Sequence, residues 1–156
     1  MNAFANTIRI NRTVSAAAIL AAGLALHGAP ASAGEELIVV ERATSDAVTD
    51  LGDKGDSVGD VLTFSNELYD KDNKTLVGRD NGWCVRTVVG QAWECFWTAT
   101  FEKGQITVEG PYYDTKDSAL SVTGGTGDYS KTQGQMKLHA RDQKGTEYDF
   151  VYILED

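Results

Sequence analysis

The chain has 156 residues, of which 42% are hydrophobic and 24% charged, and its formal net charge is −9 at pH 7. A chain of this length makes one domain of ordinary size. Because an acidic protein is repelled by phosphate backbones, this charge argues against nucleic acid as a partner.

The first 33 residues carry the features of a secretory signal. Arg9 and Arg12 supply a positive segment, residues 14–26 are apolar, and Ala31-Ser32-Ala33 is a small-residue cleavage site. We therefore predict a signal peptide over 1–33, cleaved after Ala33, and a secreted or periplasmic product. The apolar run is too short to cross a bilayer as a helix, and a core helix or an uncleaved anchor are the alternatives. No second run of that kind follows, so we expect no membrane contact after cleavage, and the net charge becomes about −11.

Residues 34–156 alternate apolar and polar side chains with a period of two, which is typical of β-strands. Seven breaks rich in Gly or Asp divide this region. They predict eight strands, at residues 36–43, 59–69, 75–88, 91–102, 104–110, 117–123, 132–141 and 146–154.

Short connections between these segments favour antiparallel neighbours. An even number of strands lets the last pair antiparallel with the first, and closure removes exposed sheet edges. The sequence therefore predicts one all-β domain over 34–156, a closed eight-stranded antiparallel β-barrel. Such an interior can hold side chains or one small ligand. An open β-sandwich is the main alternative.

The only two cysteines, Cys84 and Cys95, flank a turn at Val89–Gly90. If the turn is centred there, the cysteines face each other directly, close enough for a cross-strand bridge. An even count in an exported chain also favours a disulfide. The alternative is a free nucleophilic Cys84, but no pattern ties the distant His139 to it as a base.

Three polar residues are candidates for a site. Glu41 shares a face with Leu37 and Val39, and an inward carboxylate is costly unless it is paired. Asn66 lies between Phe64 and Leu68, so its amide needs partners. For Glu41 the alternative is a strand-end residue that reaches solvent or pairs with a basic group, and for Asn66 it is a structural anchor. Tyr112 follows Gly110-Pro111 and could instead pack at the rim, and the face shared by Trp93, Cys95 and Trp97 could line a pocket or fill the core. We find no serine triad and no zinc motif, and expect no metal.

Several stretches resemble the allene oxide cyclase family. They are residues 59–69, 104–112 and 123–138, in matching order and spacing. Residues 77–82 and the turn Gly124-Gly125-Thr126-Gly127 also resemble the related dirigent proteins. The resemblance implies an eight-stranded barrel, a homotrimer and an apolar cavity. It further implies that a strained allene oxide is folded and closed to a cyclopentenone without metal or cofactor.

The resemblance also assigns roles to residues. Glu41 matches the family's charge-delocalising glutamate, Asn66 its water-holding asparagine, Tyr112 a cavity tyrosine and Cys84 a cavity cysteine. We add Phe64 and Trp97 as substrate contacts. The chain departs from the family at Ala43, where a second asparagine stands, and it lacks the Ser-Pro pair that helps to hold the water. It departs from the dirigent proteins at Gln133, where they carry arginine.

Three hypotheses follow. In the first, the barrel is a cofactor-free cyclase in which Glu41 polarises the substrate and Asn66 helps to position it. In the second, it is a non-enzymatic or dirigent-like module for a small hydrophobic or amphipathic ligand. In the third, Trp and Phe side chains plug the lumen and the protein is structural. The volume of the lumen separates the third hypothesis from the others.

Overall fold

The computed structural model describes residues 34–155, which are almost entirely β-structure. The predicted signal peptide lies outside the described residues. The strands are β1 Glu35–Arg42, β2 Ala47–Thr49, β3 Val61–Phe64, β4 Glu67–Asp70, β5 Leu76–Val88, β6 Ala92–Phe101, β7 Gly104–Tyr113, β8 Ser118–Gly125, β9 Gln133–Ala140 and β10 Glu147–Glu155. A single 3-10 turn, Gly127–Tyr129, precedes β9. No helix within 34–155 has the length and apolarity needed to cross a membrane.

The ten segments form the eight strands of one closed barrel. β3 and β4 both pair with β5, and the segments β1 and β2 run along the other side of β4 and β3. β1 and β2 therefore make one barrel strand with a break, and β3 and β4 make another. The first barrel strand pairs with the last through the antiparallel β1–β10 ladder, and β5 pairs with β6. The predicted closed eight-stranded antiparallel barrel is confirmed, and the open sandwich is excluded.

The β5–β6 hairpin shows how local sequence sets the register. Gly90 takes a positive φ of 66° in its turn, a conformation that glycine adopts without strain. Gly82 lies opposite Trp97, and a Cβ at this position would overlap the Trp97 side chain. The glycine therefore makes room for an indole inside the barrel.

Strand β7 extends further than the sequence predicted. The predicted strand ended at residue 110, whereas β7 continues to Tyr113 and pairs Tyr112 with Trp93. Gly110 takes a positive φ of 147°, and the strand continues through it. Beyond Glu109, β7 has no β8 partner, and proline is tolerated at such an edge, so Pro111 fits. Tyr112 thus sits on a strand and not after a turn.

The interior divides into a packed end and an open end. At the closed end, where the chain turns at 71–75, 102–103 and 126–132, buried side chains fill the lumen, with Phe101 against Tyr152 (ring centroids 6.4 Å apart) and against Tyr129 (6.0 Å). The opposite end, which we call the mouth, is formed by segments 43–60, 89–91, 114–117 and 141–146. The packed half supplies the hydrophobic stabilisation and leaves the mouth half free to form a cavity.

Cys84 and Cys95 are directly opposed and form a disulfide, as predicted. Their Cα atoms are 4.0 Å apart, which matches the closer, non-hydrogen-bonded type of antiparallel pair. The bridge ties β5 to β6 inside the barrel.

Replacing both cysteines by alanine should lower the free energy of unfolding by about 3 kcal/mol, because the unfolded chain regains the freedom of a short closed loop. Urea denaturation measures this. The control is Asn81→Ala/Thr98→Ala, an opposed pair on the outer face of the same hairpin, which should change stability much less. Equal losses in the two double variants would contradict a stabilising bridge.

Candidate functional site

A cavity of about 430 Å³ occupies the mouth half of the barrel. This volume lies within the range of small-molecule pockets. The lining residues are Glu41, Ala43, Asp46, Val48, Leu62, Phe64, Cys84, Cys95, Trp97, Tyr112, Leu138, Lys144, Gly145, Thr146, Tyr148 and Phe150. A lumen plugged by Trp and Phe is therefore not what the chain forms.

Five aromatic rings form much of the cavity wall. Trp97 packs edge-on against Phe64, with centroids 5.9 Å apart, and in a tilted contact against Phe150 at 5.6 Å. Tyr112 and Tyr148 meet edge-to-face at 6.1 Å, and their hydroxyls lie 3.2 Å apart. Burial raises the pKa of both tyrosines, so both hydroxyls stay protonated at neutral pH. The wall is apolar with two neutral hydroxyl groups.

Glu41 brings a carboxyl group into this wall. It lies near the end of β1 on the inward face, and only 5% of its surface is exposed. The Asn66 side-chain amide donates to Glu41 Oε1 at 2.8 Å. Burial, and next the charge of Asp80, raise the pKa of Glu41 well above its ordinary value of 4.5. Both effects disfavour the ionised form of this carboxyl.

Asn66 does not line the cavity; its side chain lies behind Glu41 and forms hydrogen bonds with several groups. Its Nδ2 donates to Glu41 and also to Asp46 Oδ1, both at 2.8 Å. Its Oδ1 accepts from the main-chain N–H groups of Thr44 and Ser45 and from the Ser45 hydroxyl, at 2.9–3.0 Å. Both amide hydrogens and the carbonyl oxygen are thus committed to protein partners, which fixes segment 43–46 against β4.

Asp80, on β5, is a functional candidate that the sequence reasoning missed. It is fully buried, and its Oδ1 accepts from the Asn66 main-chain N–H at 3.1 Å. Burial raises its pKa to about 7. Asp80, Gly82 and Cys84 alternate along one face, so the period-two argument that selected Glu41 would also have found Asp80. Asp46 lies in an irregular segment, where no pattern identifies it.

Arg86 organises the mouth and was also missed. Its guanidinium bonds Asp56 at 2.6 Å and both oxygens of Asp114 at 2.7 and 2.8 Å, and it stacks on the Trp93 ring at 4.0 Å. Asp56 in turn accepts from the Gly90 N–H. These contacts join segment 50–60, the β5–β6 turn and the loop after β7 into one rim. A second groove of about 730 Å³ adjoins the cavity beside this rim, and Tyr112 and Tyr148 line both.

The structure brings most of the residues selected from the sequence to one place. Glu41, Phe64, Trp97, Tyr112, Cys84 and Cys95 all line the cavity. Asn66 reaches it through Glu41. Within residues 34–155, no cluster of three or more His, Cys, Asp or Glu side chains has the arrangement of a metal site.

Comparison with known proteins places this geometry in a family. A family model described as allene oxide cyclase matches residues 36–144. Among solved structures, a pyocyanin demethylase superposes with a TM-score of 0.65 at 24% identity, covering 75% of this chain and 99% of that one. The pterocarpan synthase dirigent protein PsPTS1 gives 0.62 at 14%, covering 77% and 92%. The exo-specific intermolecular Diels-Alderase AbnU gives 0.63 at 15%, covering 77% and 96%. At these identities the structures show a shared fold.

The buried Asp80 predicts a pH dependence of stability. The pKa of Asp80 is raised from 3.8 to about 7 by folding, so the folded protein keeps a proton that the unfolded chain releases above pH 3.8. The free energy of unfolding should therefore fall as the pH rises from about 4 to about 8, by about 4 kcal/mol. Asp80→Asn keeps the acceptor for Asn66 and should flatten this slope.

Urea denaturation at about pH 5, 6, 7 and 8 measures the slope. The control is Asp53→Asn, which removes an exposed carboxylate from segment 50–60 and should leave the wild-type slope unchanged. A wild-type slope retained in Asp80→Asn would contradict the assignment. The carboxylates with lowered pKa, Asp60, Asp70 and Asp142, contribute with the opposite sign and only as the pH falls below about 4.

Proposed function

The chain belongs to the allene oxide cyclase family, and on that premise we propose that its barrel binds a small hydrophobic or amphipathic molecule in the mouth cavity and closes a ring in it. The observation that carries the proposal is a cavity of about 430 Å³ with five aromatic rings and one buried carboxyl group, Glu41, in its wall.

The walls act by restricting shape. A flexible substrate enclosed by Trp97, Phe64 and Phe150 has few conformations open to it, and holding two reacting carbons close together lowers the entropic part of a cyclisation barrier. Because the cavity is asymmetric, only one face of the closing ring is accessible. The product is then formed as one mirror image.

Glu41 supplies polarity at one point of an apolar wall. Its carboxyl can donate a hydrogen bond to a substrate oxygen, and as a carboxylate it can stabilise positive charge that develops on carbon. Asn66 holds this carboxyl in place from behind, because both of its amide hydrogens are bonded to Glu41 and Asp46. We assign Asn66 a positioning role in place of direct contact with water or substrate.

A second candidate function is binding without turnover, as a carrier or a dirigent-like protein. The observation that favours it is Ala43, a cavity-lining residue at the place where the resemblance puts a second asparagine. With Asn66 saturated by protein partners, the site offers Glu41 and the two tyrosine hydroxyls to a ligand. Such a site can bind and orient a molecule whose reaction starts elsewhere.

The export signal and the assembly state belong to the same proposal. We propose cleavage after Ala33 and a secreted or periplasmic product, and the Cys84–Cys95 disulfide supports an oxidising compartment. A homotrimer is proposed from the family resemblance alone.

The cyclase proposal is tested with an unsaturated allene oxide generated in the assay, supplied both as the free acid and as its methyl ester. Wild-type protein should yield cyclopentenone enriched in one enantiomer, and Glu41→Gln should lower the rate by roughly 10²-fold, because the charge-stabilising group is gone. Chiral chromatography measures both. The control is Glu94→Gln, an exposed glutamate on β6, which should behave as wild type.

Product with the chirality of the protein-free reaction would overturn the cyclase proposal. If the wild-type protein still binds the substrate under those conditions, the carrier function remains.

Native mass spectrometry of protein from its own host tests the export and assembly proposals. We expect a chain beginning at Gly34, a trimer, and a retained small molecule. The monomer should gain ~2 Da on reduction, as two S–H bonds replace the disulfide. A chain beginning at Met1 would overturn cleavage, and a monomeric species at micromolar concentration would overturn the trimer.

A further inference from the structure

Three carboxyl groups converge at the cavity. Glu41 and Asp46 both line it, and each accepts a hydrogen bond from the same Asn66 nitrogen at 2.8 Å. Asp80 lies behind Glu41, and its Oδ2 has no hydrogen-bond donor among residues 34–155. One side of the cavity is thus lined by two carboxyl groups, Glu41 and Asp46, and backed by a third.

Basic side chains do not balance these acids. Within residues 34–155, no salt bridge reaches Glu41, Asp46 or Asp80. Arg79, the nearest charge to Asp80 on β5, is exposed and bonded to Ser65 and Glu67. Lys144 lines the mouth, but it is exposed. Its charge is screened by water, as is that of the exposed Asp46, whereas the buried Glu41 and Asp80 act in a low dielectric.

The remaining wall is aromatic. Trp97, Phe64, Phe150, Tyr112 and Tyr148 surround the same volume. The faces of such rings are electronegative and attract cations, more strongly where water is excluded. Carboxyl groups and aromatic rings around one cavity therefore favour the same kind of ligand.

We propose that the cavity binds a small organic cation of aromatic size, such as an N-alkylated heteroaromatic ring or an arylalkylammonium ion. The rings contact its faces, and Glu41 and Asp46 balance its charge. This inference rests on the proposed function only in that the mouth cavity is the binding site. It names the ligand class that this site selects over a carboxylate of the same size.

Cation binding is coupled to proton release. Before binding, burial keeps the Glu41–Asp80 pair partly protonated, and a cation in the cavity stabilises the ionised form. Affinity should therefore rise with pH across the range in which the pair ionises. The groups that face this pair are Asp46 from segment 43–46, Asn66 beside β4, Arg79 on β5, Tyr112 on β7, and Tyr148 and Tyr152 on β10. Burial raises the pKa of all three tyrosines, so none of them ionises at neutral pH.

The experiment compares three probes of similar size at about pH 8 by isothermal titration calorimetry. They are N-methylquinolinium, a cation; quinoline, which is neutral at that pH; and 2-naphthoate, an anion. Wild-type protein should bind the cation roughly tenfold more tightly than quinoline, and the anion most weakly. Lowering the pH to about 6.5 should weaken binding of the cation severalfold and leave quinoline unchanged.

Variants locate the charge effect. Glu41→Gln keeps the shape of the side chain and should lower cation affinity about tenfold with little effect on quinoline, and Asp46→Asn should cause a smaller loss. Glu94→Gln is the matched control and should bind all three probes as wild type does.

The outcomes separate the two proposals. The expected ranking, with its loss in Glu41→Gln, supports the cation site. Quinoline or 2-naphthoate binding as tightly as the cation, or a cation affinity unchanged in Glu41→Gln, overturns it and leaves the cavity as a binding site for uncharged or anionic molecules. Failure of all three probes to bind wild-type protein overturns the cation site, whereas the cyclase proposal is decided by the chirality of the product formed from the allene oxide. The wild-type ranking decides the question even if a variant does not fold.

Discussion

All eight residues of β1, Glu35–Arg42, pair with β10 and join the first strand of the barrel to the last. Successive side chains on a strand point to opposite faces, so this register decides which residues of β1 the barrel encloses. Leu37, Val39 and Glu41 face inward together. A slip of one residue would move all three to the outer face. Burying two aliphatic side chains therefore fixes the position of the Glu41 carboxyl, and the same closure that gives the barrel its core gives the cavity its polar group.

The site lies where the first two barrel strands are interrupted. Regular pairing stops between β1 and β2 and between β3 and β4, which leaves main-chain groups without ladder partners. The Asn66 side chain satisfies two of them, the N–H groups of Thr44 and Ser45. The main chain of Asn66 also exchanges two hydrogen bonds with Asp80 on β5. Asn66 therefore compensates for the break in the first two barrel strands. It also holds Glu41, Asp46 and Asp80 around it.

The sequence predicts the fold and half of the site because both depend on local periodicity. Alternation along the chain places Glu41 on the core face, and the turn at Gly90 aligns Cys84 with Cys95. The rim and the acid cluster depend instead on contacts between distant segments. Arg86 meets Asp56 and Asp114, which are about 30 residues away in opposite directions, and Asp46 meets Asn66 from an irregular segment. No periodic signal marks such partners. The predicted end of β7 is wrong because glycine followed by proline is typical of a turn, whereas here the pair lies within a strand, beyond its last pairing with β8.

The buried acids and the disulfide act on the same wall with opposite effects on stability. Keeping Asp80 away from water costs free energy above pH 4, about 4 kcal/mol at neutral pH. Cys84 lies four residues along β5 from Asp80, and its bridge to Cys95 stabilises the β5–β6 hairpin by about 3 kcal/mol. Trp97, which lines the cavity, lies on β6 two residues beyond Cys95, so the bridge also fixes this part of the cavity wall. A covalent link is insensitive to pH, whereas the acids weaken the wall as they ionise. The wall can therefore carry a carboxyl pair that changes charge on binding without losing the geometry that defines the cavity.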